Sequence, residues 1–272
     1  MKTLENHVLI YDKNCPLCNL YTGAFIKTNM LDKNGRADYC SMDFSLLPHL
    51  DLARAKDEIA LVNTKTGSIT YGIDSLFKIL SSSIPVLGYV FKWSAFKFAM
   101  GKFYALVSYN RKAISPEKTF ESPSSCIPSL HLGYRWAYIL LSWVFTSLAL
   151  NQYAVRFAPL IPPTDFFREW LICGGQIIFQ SVVVWFINKG RLIHYLGNLM
   201  TVSNIGALLL LPALFIPAPI AKPGFYMLFF AIVVAIMLFE HYRRAKILEL
   251  TVWVSMSWMV YRLIVLGIIL YL

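Results

Sequence analysis

The first apolar run, His7 to Tyr11 (HVLIY), has the length of a buried strand and is closed by the turn formers Asp12, Lys13 and Asn14. Pro16 suits a first helical turn, and Leu17, Leu20, Tyr21, Ala24, Phe25 and Thr28 then recur at helical spacing before Asn34-Gly35 provides a stop. Ala37 to Phe44 reads as a second strand and Ser45 to Lys56 as a helix. Glu58 to Asn63 (EIALVN) is an apolar strand, Thr64 to Ser68 a hairpin turn, and Ile69 to Tyr71 the returning strand. Asp74 is placed to cap a helix carrying Leu76, Phe77, Ile79 and Leu80.

The order βαβαββα predicts a thioredoxin-like α/β domain: a small mixed sheet, helices on both faces, and a turn at the end of the first strand. Residues 84–112 add aromatic and basic helical sequence. Lys92, Lys97 and Lys102 interrupt it too often for a membrane-crossing helix, so two short helices are expected. They would either lie at lipid headgroups, with the lysines snorkelling, or pack as ordinary amphipathic helices. Ser115 to Pro128 is rich in Ser and Pro and reads as a linker. Beyond it the pattern changes kind. Apolar stretches near 134–152, 169–188, 195–216, 224–241 and 248–271 predict an all-α transmembrane bundle of about five helices. Pro159, Pro162 and Pro163 break one connector and the stretch IPAPIAKPG another. The resulting division is 1–114 for the α/β domain with its extra helices, 115–133 for the linker and 134–272 for the membrane region.

Composition sharpens this division. Hydrophobic residues make up 57% and charged ones only 15%, too apolar for an ordinary soluble chain. The net charge of +10 splits into +4 before residue 134 and +6 after it, and the second half confines most of its charges to connectors. That pattern is one of membrane topology rather than nucleic-acid binding. With the first domain in the cytoplasm, Lys189, Arg191, Arg243, Arg244 and Lys246 fall on the cytoplasmic side against Arg156, Arg168 and Lys222 outside. The expected location is a multi-pass protein of a bacterial inner membrane with a cytoplasmic N-terminal domain, since MKTLENHVLIYDKN has no signal-peptide core. Gln176, Gln180, Asn198, Asn204 and Arg262 fall inside apolar stretches, where they serve as glue between helices or line a functional path. His194 and His241 fall near helix ends, as interfacial residues or as ligands of a haem or quinone.

Chemistry concentrates at the end of the first strand. Cys15 stands at a helix N-terminus and Cys18 one turn further in. Unpaired N–H groups and the helix dipole favour a thiolate at Cys15, the expected nucleophile, and Cys18 on the same face is placed to resolve a mixed disulfide. The pair would be its own redox group, with no further cofactor. The competing reading is half of a zinc site, which a convergence of Cys40 and His49 would complete. Otherwise Cys40 is a small buried hydrophobe on the second strand, His49 a loop residue, and Cys126 an idle thiol or an internal partner for Cys15. Asp12 could cap the turn or accept a proton from Cys18.

The run YDKNCPLC resembles the DxxCxxC signature of the DCC family of thiol-disulfide oxidoreductases, with Asp12, Cys15 and Cys18 in the signature places. Gly72-Ile73-Asp74-Ser75-Leu76 and Tyr109-Asn110-Arg111-Lys112 look like two further elements of that family, so the resemblance covers about residues 7–115. Ile73 replaces a serine of the pattern, and no proline precedes Glu58, where thioredoxins keep one beside the active site. The resemblance implies protein-disulfide reductase activity on protein or small-thiol disulfides, carried by Cys15, Cys18 and Asp12. The expected partners are such a substrate, an unidentified electron donor and the lipid bilayer, and no nucleic acid. A rival reading makes the membrane half a carrier or channel and the N-terminal domain a redox sensor or zinc-stabilised interaction module.

Overall fold

The computed structural model describes residues 2–43, 45, 47–116, 128–157, 166–216 and 222–271. The linker's centre with Cys126, the three connector prolines and most of the stretch 216–224 lie outside the described residues. The chain divides into two units, Met1–Arg135 and Trp136–Leu272.

The first unit is built on a four-stranded sheet in the order β2-β1-β3-β4. Strand β1 (His7–Tyr11) runs parallel to β2 (Arg36–Asp38) after the crossover helix α1 (Pro16–Lys27), and antiparallel to β3 (Ala60–Asn63). A hairpin joins β3 to β4 (Ile69–Tyr71), with Ala60 opposite Tyr71. Alternation along the central strands buries both faces. Leu9, Tyr11 and Leu61 pack with Phe25 and Ile79 on one side, and Ile10, Ala60 and Val62 pack with Tyr39, Leu50 and Ala55 on the other. This is the thioredoxin-like arrangement that the element order predicts.

Several boundaries differ from the sequence reading. The second strand is only three residues long and passes into a 3-10 turn, Tyr39–Ser41, because the Asp38 carboxylate caps that turn through Cys40 N. Helix α2 (Leu52–Asp57) begins late, where Asp51 Oδ1 accepts from Arg54 N at 3.0 Å. Asp74 is not the cap of α3 (Gly72–Ser83). That helix opens on Gly72 at φ +58°, with no side-chain cap, and Asp74 in its first turn pairs with Lys97 at 2.8 Å. Of the two helices expected over 84–112, α4 (Pro85–Phe91) is short and α5 (Ser94–Ile114) is 21 residues long. Their outer side exposes Val86, Tyr89, Trp93, Phe98 and Phe103.

The second unit holds α6 (Leu132–Ala154), α7 (Arg168–Asn188), α8 (Leu192–Leu214), α9 (Pro223–Ile247) and α10 (Val252–Tyr271). Among the described residues four segments are long and apolar enough to cross a membrane, and the longest, Arg168–Leu214, comprises both α7 and α8. Those two are a hairpin: a 3-10 turn at Lys189–Arg191 reverses the chain, and Tyr195 Oη donates back to Gln180 Oε1 at 2.7 Å.

Polarity in this unit is turned inside out. Leu140, Leu171, Ile178, Phe186, Phe239 and Leu263 are exposed, while Gln180, Asn198, Thr201, His241 and Arg244 are buried. The buried polar groups bond across helices: His241 Nε2 to Tyr195 Oη at 2.8 Å, His241 Nδ1 to Ser255 Oγ at 3.0 Å, Thr201 Oγ1 to Tyr138 Oη at 2.7 Å, and Asn204 Nδ2 to Ser142 Oγ at 2.8 Å. They are the interhelical glue that small polar residues supply where apolar burial gives no driving force.

Gly72 has a Cβ-sized space closed by the Glu58 carboxylate and the Tyr104 ring, besides its left-handed φ. Gly72→Ala is expected to cost about 1–2 kcal/mol, read in the full-length protein as a lower urea midpoint for the transition of the N-terminal unit.

Candidate active site

The site grows out of one turn. Strand β1 ends at Tyr11, and Asp12 Oδ1 then accepts from Asn14 N at 3.1 Å and Cys15 N at 3.2 Å, bending the chain into α1. Pro16 occupies the first helical position and Cys15 is the N-cap, its Sγ accepting from Cys18 N at 3.4 Å. Cys15, Cys18 and Asp12 therefore meet in one place. Both cysteines are free thiols.

Arg111 of α5 completes the cluster. Its Nη2 donates to Asp12 Oδ2 at 3.3 Å and to Lys56 O at 2.9 Å, and its Nη1 to Asp57 O at 3.0 Å. Neither partner sees water: Arg111 is 5% exposed and Asp12 7%. Ser108 Oγ donates to the same Asp57 carbonyl, and Tyr104 Oη accepts from Ile59 N at 3.1 Å. Helix α5 thus holds both the Cys15 turn and the backbone leading into β3.

These surroundings split the two thiols. Cys15 is lowered from its ordinary range to about 7, because the Cys18 thiol and then the Cys18 N–H donate to its sulfur and Arg111 lies near, against the opposing pull of burial and of the Asp12 charge. Cys18 is pushed far up by its hydrogen bond to Cys15, by burial and by the Cys15 charge. Burial likewise keeps the Tyr21 and Tyr104 hydroxyls neutral. The arrangement favours a thiolate at Cys15 supported by a thiol at Cys18, which is the protonation pattern thiol-disulfide exchange needs.

Access is the feature the sequence did not foretell. Cys15 is 2% exposed and Cys18 5%, and both belong to the core that includes Leu9, Phe25 and Ile59. The half-buried Leu17, Tyr21 and Tyr104 pack against the same core, and a sulfur this deeply buried meets a substrate only when its surroundings move.

Asp12 caps the turn, with both carboxylate oxygens engaged. Arg111 and Tyr104 were missed as site residues, although a signal existed. Tyr104, Ser108 and Arg111 stand at i, i+4 and i+7, a stripe of hydrogen-bonding groups on one face of a helix. Cys40 needs correcting outright. It lies in the 3-10 turn after β2, half-buried and disulfide-bonded, not as a buried thiol on a strand. Among the described residues no three His, Cys, Asp or Glu side chains converge to hold a metal ion.

Fold and site together define a thioredoxin-like domain with a C-x-x-C dithiol at its first strand-to-helix junction. The sequence model of the DCC1-like thiol-disulfide oxidoreductase family matches residues 9–116, a span that contains Asp12, Cys15, Cys18, Tyr104 and Arg111. The match lies wholly within the N-terminal domain and covers less than half of the chain. No curated protein and no solved structure matches the chain significantly.

The thiol chemistry can be measured directly. Alkylation of Cys15, followed by peptide mass analysis, is expected to rise with pH about a midpoint near 7, since only the thiolate reacts. Cys18→Ala removes the main support and is expected to move the midpoint toward the ordinary thiol value of 9.0. Arg111→Met moves it in the same direction by less. An unmoved midpoint in both variants would contradict the assigned causes.

Proposed function

We propose that the protein is a membrane-anchored thiol-disulfide oxidoreductase acting as a disulfide reductase, with Cys15 the nucleophile and Cys18 the resolving thiol. The observation that carries this reading is the support of the Cys15 sulfur by Cys18 at a helix N-terminus, with the Arg111 guanidinium close by. The family match supports thiol-disulfide oxidoreductase chemistry in general.

In the proposed cycle the Cys15 thiolate attacks one sulfur of a substrate disulfide, forming the Cys15 mixed disulfide and releasing a thiolate that takes up a proton. Cys18 then gives up its proton and attacks the Cys15 sulfur, which expels the second substrate thiol. The substrate gains two electrons and two protons, and Cys15 and Cys18 are left as a disulfide. A thiol donor of the same compartment returns the pair to the dithiol. Asp12 acts as a positioning residue, holding the Cys15 turn with one oxygen and Arg111 with the other.

Anchoring rests on the four membrane-length apolar segments and on their outward apolar surface. Charges near the segment ends favour a cytoplasmic N-terminal domain. The bias is thinner than the sequence count suggests, because Arg244 is turned inward onto Glu240 and Asn198. The disulfide at Cys40 pulls the other way, since such bonds persist in oxidising compartments.

Burial of both sulfurs is the observation that favours the second reading, a domain that senses small oxidants and does not reduce proteins. Substrate size separates the two. The full-length protein is expected to reduce insulin disulfides as well as a small-molecule disulfide. Cys15→Ser is expected to abolish both activities, and Cys18→Ser to trap a mixed disulfide at Cys15. Reduction of the small disulfide alone would favour the sensor, and an unchanged rate in Cys15→Ser would remove the enzyme reading.

A further inference from the structure

The second unit encloses a cavity of ≈ 270 Å³ that all five of its long helices line. That is well above the ~150 Å³ that accommodates a benzene-sized molecule. Most of the lining is apolar, with Leu210, Ala207 and Val233 among it, and two polar side chains in it lack partners. Gln176 is 5% exposed, and neither its Nε2 nor its Oε1 has a hydrogen-bond partner. The Nε of Arg262 is buried and unpartnered as well.

Both groups are held on the cavity wall by the packing of α7 on α10. Tyr261 Oη donates to Ile172 O at 2.9 Å and Gln180 Nε2 to Ser257 Oγ at 3.1 Å. Ile172, Gln176 and Gln180 form one i, i+4, i+8 row, so Gln176 falls between the two clamps, on the α10-facing side. The Arg262 guanidinium lies over the Trp258 ring, 4.1 Å from its centroid. The charges at the cavity do not balance. Glu169 is paired with Arg168 at 2.9 Å, which leaves the Arg262 cation without a carboxylate among the described residues.

An amide and a guanidinium Nε left unpartnered in a largely apolar site are costly unless something meets them. We propose that this cavity binds a single-chain anionic amphiphile, a long-chain carboxylate, whose head is held by Arg262 and Gln176 and whose chain lies among the apolar side chains. The carboxylate supplies the missing negative charge and accepts from both donors, and a single chain matches the volume where two would not. The assignment is independent of the dithiol chemistry.

The test uses the full-length protein, stripped of lipid in dodecyl maltoside, with radiolabelled palmitate as probe. Saturable binding is expected, about tenfold or more tighter than that of hexadecanol, which has the same chain without the charge, and of dipalmitoyl phosphatidate, which has the charge on two chains. Arg262→Gln is expected to weaken palmitate about 10- to 100-fold, and Arg262→Lys to keep it within a few-fold of the wild type. Absence of saturable binding, or equal binding of hexadecanol, overturns the proposal, and equal binding of phosphatidate overturns its single-chain form. So does undiminished binding in Arg262→Gln. Should Arg262→Gln lose its helical circular dichroism, Ala207→Phe takes its place by filling the same space without touching the charge, and retained binding there overturns the site. The wild-type comparison of the three probes decides by itself if neither variant folds.

Discussion

Burying a guanidinium costs several kcal/mol unless its charge and its donors are met, and Arg111 meets most of that condition: its two terminal nitrogens join three separate parts of the N-terminal domain, while its Nε is buried without a partner. Asp12 comes from the turn after β1, the carbonyls of Lys56 and Asp57 come from the end of α2, and Arg111 itself comes from near the end of α5. Residues 99 apart in sequence are thereby fixed within one hydrogen bond of each other. The geometry at Cys15 depends on this junction, because the same Asp12 carboxylate that receives Arg111 also receives the Cys15 N–H. Loss of either charge would leave the other stranded in the core, which is why the pair acts as one element and not as two interchangeable contacts.

The junction also reconciles two features that oppose one another. A thiolate is disfavoured by burial, and Cys15 is nearly inaccessible, yet its proton is held less tightly than that of a free thiol. Donation from Cys18 outweighs desolvation, and the Arg111 cation adds to it against the Asp12 anion. Reactivity and exposure are therefore set by different groups. Cys18 and Arg111 govern the ionisation, while the packing of the core around both sulfurs governs the approach. Tyr104 does more than cover, since its hydroxyl occupies the Ile59 N–H beside β3, close to where the sequence lacks the proline that thioredoxins keep.

The sequence was most informative where local rules act alone. Strand β1, the Asp12 turn, the Pro16 start and the N-terminal place of Cys15 follow from short-range preferences, and all appear where they were read. It failed where distant partners decide. Asp74 has the chemistry of a cap but is drawn to Lys97, and α3 starts on a left-handed glycine instead. Arg111 reads as a basic residue before an apolar region, because nothing local says that a carboxylate 99 positions upstream awaits it. Arg244 is a similar case, counted as a loop charge but spent on Glu240 and Asn198. Gln180, Asn198 and Asn204 join helices while Gln176 does not, because which pairs join depends on helix rotation, which an all-round apolar pattern does not encode.

The reversed polarity of helices α6–α10 means that the two halves of this chain are stable in different solvents. Water drives the sheet of the first unit to close on Leu9, Ile10 and Leu61, and the same water would attack the outward Leu171, Phe186 and Phe239 of the second. Detergent or lipid reverses those pressures. No single melting temperature can therefore describe the molecule: heating titrates one half against water and the other against the amphiphile that surrounds it, and the two endotherms respond independently when that amphiphile is exchanged.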